Sequence, residues 1–265
     1  MKSDSDGKMP DHFDEIKILI SFVVLFFLYH AAEYQIVTRG SVVGFLLVQA
    51  LFWIIAFLLG QVYRQNGLTS WGLLFSGKIF KSLFAGIISG IVFYATTFVI
   101  SVNAGVERIV EIPDLAHILK QSLPFSFGVV LSSFSEDVLT RGVVYAYFGK
   151  RTKSVAVVLI SAAIYTLNHI YRLGEGIETL LYLFLLGTLF MVAMVNTGNL
   201  WFTGAMHWAG NAFFYITHNV IKTGPAEGIV SPNYLFAAVI VFYIPVIWLV
   251  TRKFNFTIDE KRKPF

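Results

Sequence analysis

The chain has 265 residues, of which 56% are hydrophobic and 14% charged, against about 25% charged in an average soluble domain. A composition this apolar excludes an aqueous globule and makes the bilayer the expected solvent. The formal net charge of +4 comes from short, scattered basic groups, which excludes a nucleic-acid-binding face. The lack of cysteine excludes disulfides, thiolate nucleophiles and thiolate metal sites.

Residues 1–15 are polar, with Asp4, Asp6, Lys8, Asp11, Asp14 and Glu15, and read as a disordered tail. The apolar run after them lacks a basic leader and a small-residue cleavage site, so it is expected to be retained as a first span. A span needs about 20 mostly apolar residues. Runs of that kind fall at roughly 16–36, 41–62, 80–102, 122–148, 154–172, 178–197, 200–221 and 233–251. The predicted fold is therefore all-α, a polytopic transmembrane bundle of about eight spans. It forms one domain over 16–251 with a functional core near 120–215, followed by a basic tail at 252–265.

Lysine and arginine concentrate in cytoplasmic loops. With eight spans, fourteen of them fall on one side and five on the other (Arg39, Arg108, Lys120, Arg172 and Lys222), with Arg141 left inside the fourth span. Both termini are thus expected in the cytoplasm. Trp53, Trp71, Trp201, Trp208 and Trp248 lie mostly near the ends of apolar runs and read as headgroup anchors. Gly86 and Gly90 form a small-xxx-small pair suited to close helix approach. The Asn196-Thr197-Gly198-Asn199 turn signal divides an otherwise uncharged run.

Ionisable side chains in hydrocarbon cost about 2.5–3.5 kcal/mol each on insertion scales, so those that persist usually work in a polar cavity. Three segments carry them. The fourth run contains Glu136, Asp137 and Arg141, the fifth Tyr165 and His169, and the seventh His207 and Asn211. Positions four apart share a helical face, so Tyr165 aligns with His169 and His207 with Asn211. Asp137 precedes Arg141 in the favourable order for an ion pair that pins the helix, which leaves Glu136 free as a general base. His30, His117 and His218 read as ordinary hydrogen bonders or interfacial residues.

In this order and separation, Glu136-Asp137-xxx-Arg141, Tyr165-xxx-His169 and His207-xxx-Asn211 resemble the CAAX protease and bacteriocin-processing (CPBP, or Abi) family of intramembrane peptidases. That family includes the Ras-converting CAAX prenyl endopeptidases, and its motifs run Glu-Glu-xxx-Arg, Phe-xxx-His and His-xxx-Asn. Two positions depart from the pattern: Asp137 stands where a second Glu is usual, and Tyr165 where Phe is usual. The resemblance implies hydrolysis of a peptide bond in a membrane-associated or prenylated protein, or in a hydrophobic peptide. Glu136, aided by His169, would activate water, and His207 with Asn211 would supply oxyanion donors, with Asp137, Arg141 and Tyr165 in support. A competing account uses Glu136, His169 and His207 to hold a divalent ion such as zinc.

The expected partners are membrane lipid and a membrane-associated protein or peptide, with no nucleic acid. The expected location is the cell membrane in a bacterium or the endoplasmic reticulum in a eukaryote. Two other readings stand beside the peptidase: a non-catalytic scaffold or immunity protein of the same fold, and a proton-coupled transporter. One geometric tension accompanies the peptidase reading. At about 1.5 Å per residue, Glu136 and His169 lie about 20 Å from the cytoplasmic ends of their spans, and His207 about 10 Å.

Overall fold

The computed structural model describes residues 12–64, 66–226 and 230–253. It is helical at each of the eight expected stretches. The basic residues Lys261, Arg262 and Lys263 and most of the N-terminal tail lie outside the described residues. The first helix begins at His12, inside the stretch read as tail.

The chain divides into two compact units, Met1–Ser70 and Trp71–Phe265. In the first, α1 (His12–Val37) and α2 (Val42–Arg64) pack together across a short turn. Gly40 takes a left-handed conformation there (φ +59°) at no steric cost.

The second unit contains α3 (Ile79–Asn103), α4 (Leu115–Asp137), α5 (Val143–Phe148), α6 (Ser154–Asn168), α7 (Ile177–Thr197), α8 (Leu200–Tyr215) and α9 (Pro232–Lys253). A π turn at Val138–Gly142 joins α4 to α5, and a second at Ile216–Val220 follows α8. Two short strands, β1 (Glu107–Glu111) and β2 (Lys222–Pro225), pair antiparallel with an irregularity between Ile109 and Glu111. This ribbon is the one feature of the described residues that an all-α reading omits.

Among the described residues, five helical segments are long and apolar enough to cross a bilayer: Glu15–Val37, Val42–Arg64, Ile79–Asn103, Ile177–Thr197 and Pro232–Lys253. The protein is an integral, multi-pass membrane protein. Helices α6 and α8 are shorter, and α4 carries Ser, Glu and Asp near its end, which lowers its hydropathy.

Packing in the second unit centres on α8, which contacts α3 and α4, while α7 contacts α6 and α9. Gly86 and Gly90 make the α3–α8 contact close. A Cβ at Gly86 would collide with the Phe202 carbonyl, and one at Gly90 with the Met206 carbonyl. Their spacing does what the sequence suggested: it lets one helix lie directly on the backbone of another.

The break before α8 is also where the turn signal placed it. Gly198 ends α7 in the left-handed conformation, and Asn199 caps α8 by accepting from the Trp201 N–H at 2.9 Å. Asn199 and Leu200 are fully buried, Asn199 donating to Ser82 Oγ at 2.8 Å and the Leu200 N–H reaching the Gly72 carbonyl at 3.0 Å. His207 Nε2 and Glu136 Oε2 lie 3.7 Å apart, so the unequal depths counted along their spans do not keep the two side chains apart.

Trp71, Trp201 and Trp208 have packing or hydrogen-bond partners within the protein. Trp71 is fully buried, and the indole N–H groups of Trp201 and Trp208 are taken by the carbonyls of Leu74 at 3.0 Å and Ser126 at 2.8 Å. A partner for the indole N–H is what burial of that ring requires.

Candidate active site

Glu136 and Asp137 are the last two residues of α4, immediately before the π turn. A π turn lengthens the local hydrogen-bond step and leaves backbone groups to be satisfied from outside, and such turns recur at functional sites. Here the Thr140 carbonyl accepts from Ser161 Oγ of α6 at 2.8 Å, while Thr140 Oγ1 donates back to the Glu136 carbonyl at 2.8 Å. The widened turn thus ties α4 to α6 beside the carboxylates.

Asp137 and Arg141 form the expected ion pair, both side chains fully buried. Arg141 Nη1 also donates to Thr140 Oγ1 at 3.2 Å. Its guanidinium carbon lies 4.6 Å from the Tyr165 ring centroid and 4.7 Å from that of Phe190. Among the described residues Nε and Nη2 make no hydrogen bond, so the aromatic faces provide their favourable contact.

Asp137 does more than balance Arg141. The oxygen that receives the guanidinium, Oδ1, also lies 2.9 Å from His207 Nδ1. An ionised carboxylate only accepts, so His207 Nδ1 carries the proton and Nε2 is directed elsewhere. It faces Glu136 Oε2 at 3.7 Å. The other carboxylate oxygen, Oε1, lies 3.6 Å from His169 Nδ1 and accepts from Asn168 Nδ2 at 3.1 Å. Glu136, 5% exposed, is therefore held between two imidazoles at separations just beyond direct hydrogen bonding.

His169 departs from the expected helical placement. Helix α6 ends at Asn168, and His169 sits past it with φ −82° and ψ 58°. Its Nδ1 still reaches back to the Tyr165 carbonyl at 2.8 Å, which assigns the proton to Nδ1 and leaves Nε2 as the basic nitrogen. The Tyr165 ring stands edge-on to His169, with centroids 4.6 Å apart. Tyr165 therefore serves through its ring, over Arg141 and against His169.

His207 and Asn211 share a helical face but no partner. Asn211 Nδ2 donates to Ser133 Oγ of α4 at 3.1 Å, which leaves it one further N–H. Asn211, Tyr165 and His169 reach a cavity of about 240 Å³, whose wall Glu136 and His207 do not form. Farther along the same wall are Arg172, Ser101, Glu107 and His218.

His218 Nε2 lies 3.0 Å from Glu107 Oε1, and Ser101 Oγ donates to Oε2 at 2.5 Å. Burial pushes the Glu107 carboxyl up, but the hydrogen bonds from His218 and Ser101 outweigh it and hold the group below the usual carboxylate range. His218 is thus a satisfied hydrogen bonder, as its isolation in the sequence suggested.

Among the described residues, no three His, Asp or Glu side chains gather as ligands of one ion. Glu136 turns its two oxygens toward different imidazoles, and His169 offers it the nitrogen already bonded to Tyr165. As arranged, Glu136, His169 and His207 do not converge on one point, and the chemistry below is derived without an ion.

Asn168, Thr140, Ser133 and Phe190 were not singled out from the sequence. Only Asn168 carried a signal, its adjacency to His169, and uncharged polar residues in apolar helices are too common for that to weigh much.

Residues 119–213 match the family model described as type II CAAX prenyl endopeptidase Rce1-like. The match runs from within α4 to within α8 and contains Glu136, Asp137, Arg141, Tyr165, His169, His207 and Asn211. No curated protein and no solved structure matches the chain.

Proposed function

We propose that this membrane protein, whose residues 119–213 belong to the Rce1-like family of type II CAAX prenyl endopeptidases, hydrolyses a peptide bond in a membrane-associated or prenylated protein with Glu136 as the base. One observation carries the reading: the Glu136 carboxylate lies between the imidazoles of His169 and His207, at 3.6 and 3.7 Å.

In the proposed reaction Glu136 takes a proton from water as the water oxygen attacks the scissile carbonyl carbon. The C–O bond forms, and the carbonyl electrons move onto oxygen. The oxyanion accepts from Asn211 Nδ2–H and His207 Nε2–H. Collapse of the intermediate breaks the C–N bond, and Glu136 returns its proton to the leaving amine.

The hydrogen-bond pattern supports these roles. Since Nδ1–H of His207 is given to Asp137, a donor at Nε2 makes the ring an imidazolium. Its charge with that of Arg141 balances Glu136 and Asp137, so the buried cluster is neutral, as a low-dielectric site favours. His169, basic at Nε2 and open to the cavity, assists the proton transfer. The apolar part of the wall, with Phe98, Phe213, Phe214 and Phe236, suits an apolar substrate chain.

The test is cleavage of a panel of quenched prenylated and apolar peptides by purified wild type, Glu136→Gln and His207→Ala, with and without a chelator. Cleavage by wild type, lost in both variants and unaffected by chelation, is the expected result. Sensitivity to chelation would replace the metal-free mechanism with an ion at Glu136, His169 and His207. Cleavage by Glu136→Gln at the wild-type rate would overturn the site, and failure of the wild type on every peptide would return the scaffold and transporter readings.

A further inference from the structure

The peptidase motifs do not contain Asn168, yet its side chain makes the sole hydrogen bond seen to the Glu136 carboxylate among the described residues. The bond joins α4 to α6 across a buried space, with Asn168 3% exposed. The amide can take only one orientation. Rotated by half a turn, Oδ1 would face Oε1 and set two acceptors against each other. With Nδ2 on Glu136, Oδ1 is buried without a partner among the described residues. A buried acceptor left unmatched is unfavourable, so packing alone gives no reason for an asparagine here.

We infer that Asn168 is a positioning residue for Glu136, deciding which carboxylate oxygen acts as the base. The inference rests on the peptidase reading above. Asn168 occupies Oε1 and fixes the plane of the carboxylate. Oε2 is left free of hydrogen bonds and directed at His207, beside the proposed oxyanion donor. The water proton therefore goes to Oε2.

The placement of Asn168 follows from the local fold. It is the last residue of α6, and the chain leaves the helix at His169. The Asn168 and His169 side chains can thus approach Oε1 of Glu136 together, at 3.1 and 3.6 Å, which two consecutive residues of a continuous helix, about 100° apart, would not readily do. Ser161, two turns earlier, anchors α6 to the Thr140 carbonyl and sets its register against α4.

Two measurements test the role, one of them independent of activity. In cleavage assays, Asn168→Leu is expected to lower kcat about 100-fold, the scale of a misplaced reacting group, with KM within about twofold of wild type. A change confined to KM, or none, would overturn the inference.

The second measurement is a thermal-unfolding cycle in detergent with wild type, Asn168→Leu, Glu136→Met and the double variant. Each single variant leaves one buried polar partner unmatched, and the double leaves neither. The double is therefore expected to lower Tm by clearly less than the sum of the single shifts. Additive shifts would mean that the two side chains are not coupled. If the wild type cleaves nothing, the peptidase reading fails, while this cycle still decides whether Asn168 holds Glu136.

Discussion

His207 and Arg141 bind the same oxygen of Asp137, so a single carboxylate atom fixes an imidazole from α8 and a guanidinium from its own helix. The shorter reach of Asp, where the resembling family usually has Glu, is enough for both contacts. Asp137→Asn keeps an acceptor for His207 and Arg141 but removes the charge opposite the buried guanidinium. It is therefore expected to lower stability as well as to allow the wrong His207 tautomer, lowering kcat by about 100-fold or more, by analogy with the orienting Asp of serine-protease triads. Asp137→Ala is expected to leave Arg141 as an uncompensated buried charge and to cost about 3–5 kcal/mol. Steady-state kinetics and denaturant unfolding in detergent separate the two effects.

Asn211 and Ser133 should differ in weight although they are hydrogen-bonded to each other. Asn211→Ala removes a proposed oxyanion donor and is expected to lower kcat about 100- to 1000-fold. Ser133→Ala removes only an acceptor that orients the amide, and a loss of several-fold at most is expected. Equal losses in the two variants would show that Asn211 acts through packing.

The α3–α8 contact makes a prediction about folding. A side chain at Gly90 would meet the Met206 carbonyl and Ala209 Cβ, on either side of His207. Gly90→Leu is expected to cost about 1–3 kcal/mol by overpacking and to reduce cleavage as well, since α8 must shift. Gly77→Leu, where an added Cβ meets nothing within 4 Å, is the matched control and should leave both unchanged.

The Glu107–His218 contact predicts an acid limb of stability. Burial raises the Glu107 carboxyl, but the hydrogen bonds from His218 and Ser101 together lower it by more, so its folded value lies below the reference value of 4.5. The stabilisation it provides is present above that reference and is lost as pH falls through the folded value. Thermal unfolding from pH 6 downward, on an order-of-unit scale, should show wild type losing stability below the reference value and Glu107→Gln losing less. Identical profiles would remove Glu107 from the account.

Hydropathy exposed the helical stretches because each is one long apolar run, and the Asn196–Asn199 break because glycine and asparagine dominate it. Gly86 and Gly90 were legible for the same local reason: a missing side chain at helical spacing has few uses other than close approach. The site residues were legible as charges in hydrocarbon and as a motif order. Their contacts were not. The departure of His169 from α6, the bond from Asn168 to Glu136, and the double use of Asp137 Oδ1 all arise where α4, α6 and α8 meet. No local pattern encodes them. The β1–β2 ribbon was missed because its strands are too short and too charged to alternate.

The π turn at Val138–Gly142 sets a condition on any transplant of this site. Carried on a straight α-helix, the segment from Ser135 to Phe148 would keep its sequence but lose the widened step. Everything after Gly142 would then rotate by about one residue, or 100°, relative to Glu136 and Asp137. Gly142, whose missing side chain leaves room for the Trp71 carbonyl, would no longer face it. A scaffold that receives the carboxylates must therefore reproduce the irregularity, because the helix that bears them cannot be both regular and correctly seated.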